Sequence, residues 1–165
     1  MTDAADAPRL MLIAAEGMDP SAAIAAFDRA AAAEFVAALV VFGAVDPGLA
    51  QRAQAADCAV LAVDDLLAAR GLDGVHLTGQ GPTVAEARAA LGGDRIVGAM
   101  AGLSRHLGME AGEQDADYVA FGPAIEAAEE TAGLLAWWAE MMEPPCVAWR
   151  ADSGDRAALA SADFI

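Results

Sequence analysis

The sequence predicts an α/β chain in which strands and helices alternate around a parallel sheet, and eight such repeats would close it into a compact, TIM-barrel-like (β/α)8 domain. Three observations carry this expectation. Short apolar runs of strand length recur along the chain, and alanine-rich stretches of helical period separate them. The 165 residues are 57% hydrophobic but only 5% aromatic, so the core must be built from Ala, Leu, Val and Ile packed closely between elements. A chain of this length can bury one sizeable core and is short for two, so one domain over residues 1–165 is expected.

Taken in order, the first strand is expected over Leu10 to Ala14. A helix follows from Ser21 to Ala33, with Ile24, Phe27 and Ala31 at helical spacing. Strands are then expected at Val36 to Phe42, Ala59 to Val63 and Gly74 to Leu77. The helix from Thr83 to Leu91 opens on Thr83 with Glu86 three residues later, the pattern in which each side chain satisfies a backbone N–H at the helix start. A strand at Arg95 to Ala99 and an amphipathic helix at Ser104 to Gln114 come next, followed by a strand at Tyr118 to Phe121. The helix from Thr131 to Met142 holds Leu134, Leu135, Trp138, Met141 and Met142; of the adjacent pair Trp137 and Trp138, one is expected to face the sheet. The seventh strand is Cys146 to Trp149. Ala162 to Ile165 reads as the beginning of an eighth, so the last unit is expected to be incomplete. No Pro- or Ser-rich linker interrupts the series. A doubly wound dinucleotide fold would want a glycine-rich turn after the first strand, and Ala14-Ala-Glu-Gly-Met-Asp19 has none. Periodicity alone leaves an open sheet and a closed barrel as alternatives.

A formal charge of -16 and a pI near 4.1 repel phosphate backbones and anionic lipid, so neither nucleic acid nor a membrane is an expected partner. Met1 to Arg9 carries acids where a secretory leader needs positive charge, and no apolar run reaches the roughly 20 residues of a membrane span, so a cytoplasmic location is expected. Cys58 and Cys146 lie in short apolar runs without a second ligand at metal spacing, which predicts buried, reduced thiols.

Three stretches carry a resemblance. Gly71-Leu-Asp-Gly-Val-His-Leu77 followed by Thr78-Gly79-Gln80, Asp94-Arg-Ile-Val-Gly98, and Asp115-Ala-Asp-Tyr-Val-Ala-Phe-Gly-Pro123 are similar, in order and spacing, to segments of the thiamine phosphate synthase/TenI (thiazole tautomerase) family. Pro145-Cys-Val-Ala148 and Ala160-Ser-Ala-Asp-Phe164 match its seventh strand and the opening of its eighth. The resemblance covers most of the chain and is strongest from Cys58 to Ala148. It implies a (β/α)8 barrel of thiamine biosynthesis that joins a pyrimidine diphosphate to a thiazole phosphate, with Mg²⁺ on the diphosphate and pyrophosphate released.

Two anionic substrates require a positive site, and here the sequence departs from the family. The arginine and lysine expected after the second strand fall on or near Val40, Phe42 and Ala44. Of two metal carboxylates, one falls on Asp64 if two residues are deleted and on Ala62 in an ungapped match, and the other meets Gly81 or Pro82. A serine or threonine and a histidine after the fifth strand become Met100 and Gly102. The stretch that grips pyrophosphate aligns with Ala127 to Glu130, replacing a lysine by Glu130. A glycine pair after the seventh strand becomes Arg150-Ala151. Reversing one charge about 4 Å from a phosphate changes the interaction by several kcal/mol at an effective dielectric near 20.

The candidate site residues are therefore His76, Gln80 and Gly122, which the resemblance implies, and Arg150, a cation new to this sequence beside the old phosphate site, for a small phosphorylated ligand, with Asp64 implied for Mg²⁺. His76, between Val75 and Leu77 near a strand's C-terminal end, suits a packed barrel residue equally well. Asp64 and Asp65 suit solvated carboxylates, His106 a solvated helix face, and Arg150 a surface ion pair. The leading expectation is a diverged pseudoenzyme of this family, without synthase turnover, that binds a ligand or partner; the alternatives are an active synthase and a purely structural or interaction barrel. A homodimer is also expected, with a second copy covering the seam beside the eighth strand and burying Leu10, Leu12 and Phe164.

Overall fold

The computed structural model describes residues 7–165. Seven parallel strands pair in chain order, β1 (Leu10–Ala14), β2 (Val36–Val41), β3 (Ala59–Val63), β4 (Gly74–Leu77), β5 (Ile96–Gly102), β6 (Tyr118–Phe121) and β7 (Cys146–Ala148). Helices connect them: α1 (Pro20–Ala33), α2 (Pro47–Ala55), α3 (Leu66–Ala69), α4 (Val84–Leu91), α5 (Arg105–Glu113) and α6 (Ala128–Met141). Between β7 and the C-terminal residues the helix shrinks to a 3-10 turn at Ser153–Asp155. Phe164 then bridges to both Val147 and Arg9. Ala148 N–H donates to the Phe164 carbonyl at 2.9 Å, and Met11 N–H donates to the Ile165 carbonyl at 2.8 Å. A three-residue eighth stave thus joins β7 to β1, giving the TIM-barrel-like arrangement expected.

Each helix start has a local cause. Asp19 before Pro20 and Asp46 before Pro47 form the same device, with the Asp side chain accepting from the backbone N–H three residues on and the proline pre-set in the first turn. Thr83 and Glu86 satisfy each other's backbone N–H groups in both directions. Ser104 caps α5 through Leu107 N–H. No side chain caps α6.

Alternation along the strands sorts side chains into two sets. Met11, Val40, Leu61, Tyr118, Val147 and Trp149 meet inside the barrel. Val60, Val75, Val97, Val119 and Cys146 point outward beneath the helices. Trp138 is buried against this outer layer while Trp137 is partly exposed. Both cysteines are free and buried, and burial pushes each thiol up to about 12. Among the described residues no helix is long and apolar enough to cross a membrane.

A repeated carboxylate clamp holds the bottom of the barrel. Asp73, immediately before β4, accepts from Val60 N–H at 2.8 Å; Asp117, before β6, accepts from Val97 N–H at 2.7 Å; Asp163, before the eighth stave, accepts from Cys146 N–H at 2.9 Å. The fourth, sixth and eighth staves thus each have an aspartate at their start that satisfies an N–H near the start of the strand before, while β2 follows Phe35 and lacks the device. Asp117 also accepts from the Arg88 guanidinium at 2.6 Å. Replacing Asp117 by Ala strands the Val97 N–H and is expected to lower stability by about 1–3 kcal/mol. A urea midpoint unmoved by that substitution would show that the clamp is ornamental.

Outside the seam, a groove of about 500 Å³ runs between α1 and residues 150–152, floored by Leu10, Leu12, Ala148 and Ile165. Phe164 turns into the barrel, with the Arg9 guanidinium over its ring at 4.3 Å, because alternation sends Ile165 and not Phe164 to the outer face.

Candidate functional site at the C-terminal mouth

The strand C-termini and the loops after them form the face on which barrels of this architecture carry their sites. Its floor is aromatic. Gly98 on β5 lies beside Tyr118 on β6, and a Cβ at Gly98 would stand 1.9 Å from the Tyr118 ring, so only glycine lets that ring enter the barrel. The Tyr118 hydroxyl meets His76 Nδ1 at 2.7 Å. The His76 ring lies parallel to Trp149, 4.4 Å between centroids with 1° between planes, and Phe42 tilts against the indole at 6.4 Å. Trp149 thereby roofs His76.

His76 is fully buried. Its Nε2 has no hydrogen-bond partner among the described residues. Burial lowers its pKa to about 4, against a smaller opposing pull from Asp64, so the imidazole is neutral at pH 7. Of its two expected roles, ligand contact and barrel packing, the geometry supplies the packing contacts.

Asp64 sits at the end of β3 with φ +52. One carboxylate oxygen accepts from Thr78 N–H at 2.9 Å and the other from the Thr78 hydroxyl, tying the loop after β3 to the loop after β4. Gly81 packs so tightly that a Cβ there would meet Asp64 Cβ at 3.0 Å. The residues present do not suit Mg²⁺: among the described residues no three His, Cys, Asp or Glu side chains are grouped so as to hold a metal ion, and both Asp64 oxygens already accept from Thr78. Asp65 instead caps α3 through Ala68 N–H. Gln80 lies exposed on the β4 loop.

Gly122, at φ +147, ends β6 where a Cβ would stand 2.6 Å from the Trp149 carbonyl. This close approach ties the next two loops together. Ala124 N–H donates to the Trp149 carbonyl at 2.8 Å and Ile125 N–H to the Arg150 carbonyl at 3.0 Å, while Glu126 and Ala127 N–H both donate to the Pro123 carbonyl. Four successive amides are therefore occupied by the protein's own carbonyls. Beyond them, Glu129 and Glu130 lie in the first turn of α6, and their charges answer the positive end of that helix. Arg150, at φ +52, holds its guanidinium 3.7 Å from Glu126; both side chains are more than half exposed, so the pair adds little stability.

The structure thus gathers His76, Asp64, Gly122 and Arg150 at one end of the barrel but divides them between its sealed interior and its rim. The resident that sequence reasoning missed is Trp149. The alternation Cys146-Val147-Ala148-Trp149 signals that it faces inward, but its partner His76 comes from β4, far away along the chain.

Comparison with known proteins agrees with this architecture. The profile of the family described as thiamine monophosphate synthase matches residues 48–150. The thiamine-phosphate synthase of Rhodospirillum centenum is 44% identical over 126 residues, covering 68% of this chain and 59% of that protein. The thiamine-phosphate synthase of Erythrobacter litoralis is 42% identical over 102 residues, covering 56% and 48%. The chain thus spans between 48% and 59% of the length of these two relatives. Among solved structures, a thiamine phosphate pyrophosphorylase from Pyrococcus furiosus superposes with a TM-score of 0.76 over 95% of this chain and 83% of that one, at 20% identity, a likeness of fold. With more than half of its residues inside the matched profile, the chain belongs to the thiamine monophosphate synthase family.

Proposed function

We propose that this chain is a thiamine-phosphate-synthase-like barrel of thiamine metabolism in which the C-terminal mouth binds without turning over. The observation that carries this reading is the loop after β6. Its amides from Ala124 to Ala127 donate within the protein, and Glu129 and Glu130 follow where a polyphosphate would need positive charge. Transfer of a group from a diphosphate depends on cations and amides that stabilise the leaving charge. At this mouth Arg150 faces Glu126, and Asp64 faces Thr78.

A second reading, turnover of the synthase reaction, is favoured by the names and identities of the relatives, 44% and 42% over the matched residues. It requires the phosphates to be held by groups other than those at the matched positions.

The triple variant Glu130→Lys, Arg150→Gly, Ala151→Gly discriminates. Calorimetric titration with pyrophosphate is expected to show affinity raised by tenfold or more, about 1.4 kcal/mol, with no product formed from the two phosphorylated precursors. Unchanged affinity would mean that these loops are not the phosphate subsite and would remove the basis of the proposal.

A further inference from the structure

Three large apolar side chains following β5 and β6 at the mouth are exposed to solvent. Leu103 and Leu107, after β5, are 39% and 48% exposed, and Ile125, after β6, is 63% exposed. Their loops are neighbours, joined by Gly122 N–H donating to the Gly102 carbonyl at 3.1 Å. Beside them a cavity of about 250 Å³ is walled by Pro82, Met100 and Leu107, with Glu110 on its lip. Exposed apolar side chains clustered next to a pocket are costly to leave in water and are typical of binding surfaces rather than of solvated ones.

The polar surroundings state the sign of what binds. Glu110 on α5, which also lines the cavity, Glu126 on the loop after β6, and Glu129 and Glu130 in the first turn of α6 are all exposed. The neighbouring cations are engaged, Arg105 over the Trp137 ring at 4.8 Å and Arg150 with Glu126. An anionic lipid surface or a nucleic acid would be repelled. A small ligand could fill the cavity but would leave Ile125 and Leu103 bare.

We infer that this side of the mouth, Leu103, Leu107 and Ile125 with the Pro82–Met100 cavity, is a docking face for a protein segment bearing an apolar anchor flanked by lysine or arginine. The anchor enters the cavity, and its cations face Glu110 and the carboxylates at the start of α6. Such charge complementarity speeds encounter and fixes register, while the buried apolar contact holds the complex. The inference rests on the reading that this mouth binds rather than reacts.

The probe is a fluorescent synthetic peptide of about 14 residues, an amphipathic helix of leucine and lysine. Controls are the same composition with the apolar face scrambled, and a version with glutamate for lysine. Anisotropy is expected to show binding of the amphipathic lysine peptide alone, weakened at least tenfold by Leu107→Ser with Ile125→Ser. Both positions are exposed, and circular dichroism checks that the variant is folded. Equal binding by the double variant, or by the scrambled peptide, would show that only the overall negative charge attracts the probe and would overturn the docking face. Product formation by the same preparation would overturn the absence of turnover and leave the docking result standing, so the two failures are distinguishable.

Discussion

Gly98→Ala is expected to cost about 2–6 kcal/mol, although it adds only one methyl group. The new Cβ would lie 1.9 Å from the Tyr118 ring, which is itself fixed by the hydroxyl's 2.7 Å contact with His76. Relief requires the ring to swing away, so overpacking of about 1–3 kcal/mol is joined by the loss of a buried hydrogen bond, worth about 1–3 kcal/mol. The roof moves too, because Trp149 stacks on the same imidazole. At this chain length the melting temperature should fall by about 2–4 °C per kcal/mol. Tyr118→Ala removes the obstacle, so Gly98→Ala added to Tyr118→Ala should cost little more than Tyr118→Ala alone. A Gly98→Ala protein that melts within about 2 °C of the parent would show that the interior is looser than this packing implies.

The second large effect is on acid stability. His76 is neutral when folded, its pKa lowered to about 4 by burial, whereas in the unfolded chain it titrates near the ordinary histidine value of 6.5. Between these values the unfolded state binds a proton that the folded state refuses. Stability is therefore fully present above pH 6.5 and falls as the pH drops toward 4, by roughly 3 kcal/mol at about 1.4 kcal/mol per pKa unit. Acidification also relieves repulsion among the carboxylates, so the informative quantity is a difference. His76→Gln, measured beside the parent from pH 7 to pH 4 by urea unfolding, should lose less stability over that interval. Parallel curves would mean that His76 takes up its proton as easily in the barrel as outside it.

Much of the fold was legible because its signals are local. The runs at Leu10–Ala14, Ala59–Val63, Gly74–Leu77 and Tyr118–Phe121 are strands with the bounds their apolar pattern gave, and Thr83 and Glu86 make the reciprocal cap their spacing announced. The helix α2 was not expected, because only Leu49, Ala50 and Ala53 face the core and Gln51, Arg52 and Gln54 blur its period. The pair Asp46-Pro47, a copy of the Asp19-Pro20 start of α1, was the available signal. Alternation from Cys146 also puts Trp149 inside, but nothing in one strand says which ring lies opposite. The stack on His76 and the roofing of the barrel are long-range facts of closure. The loop after β6 is similar: its sequence shows Glu130 in place of a lysine, while the capture of the Ala124 and Ile125 amides by the carbonyls of Trp149 and Arg150 depends on the approach that Gly122 allows.

A mouth that binds without turning over, as proposed, should form no thiamine phosphate even with both precursors present. The most direct measurement is product formation by the purified chain given hydroxymethylpyrimidine diphosphate, thiazole phosphate and Mg²⁺, with thiamine phosphate quantified after oxidation to a fluorescent derivative. No product above a protein-free control is expected over many hours. Sustained formation of thiamine phosphate, abolished by Gly122→Val at the mouth, would contradict it.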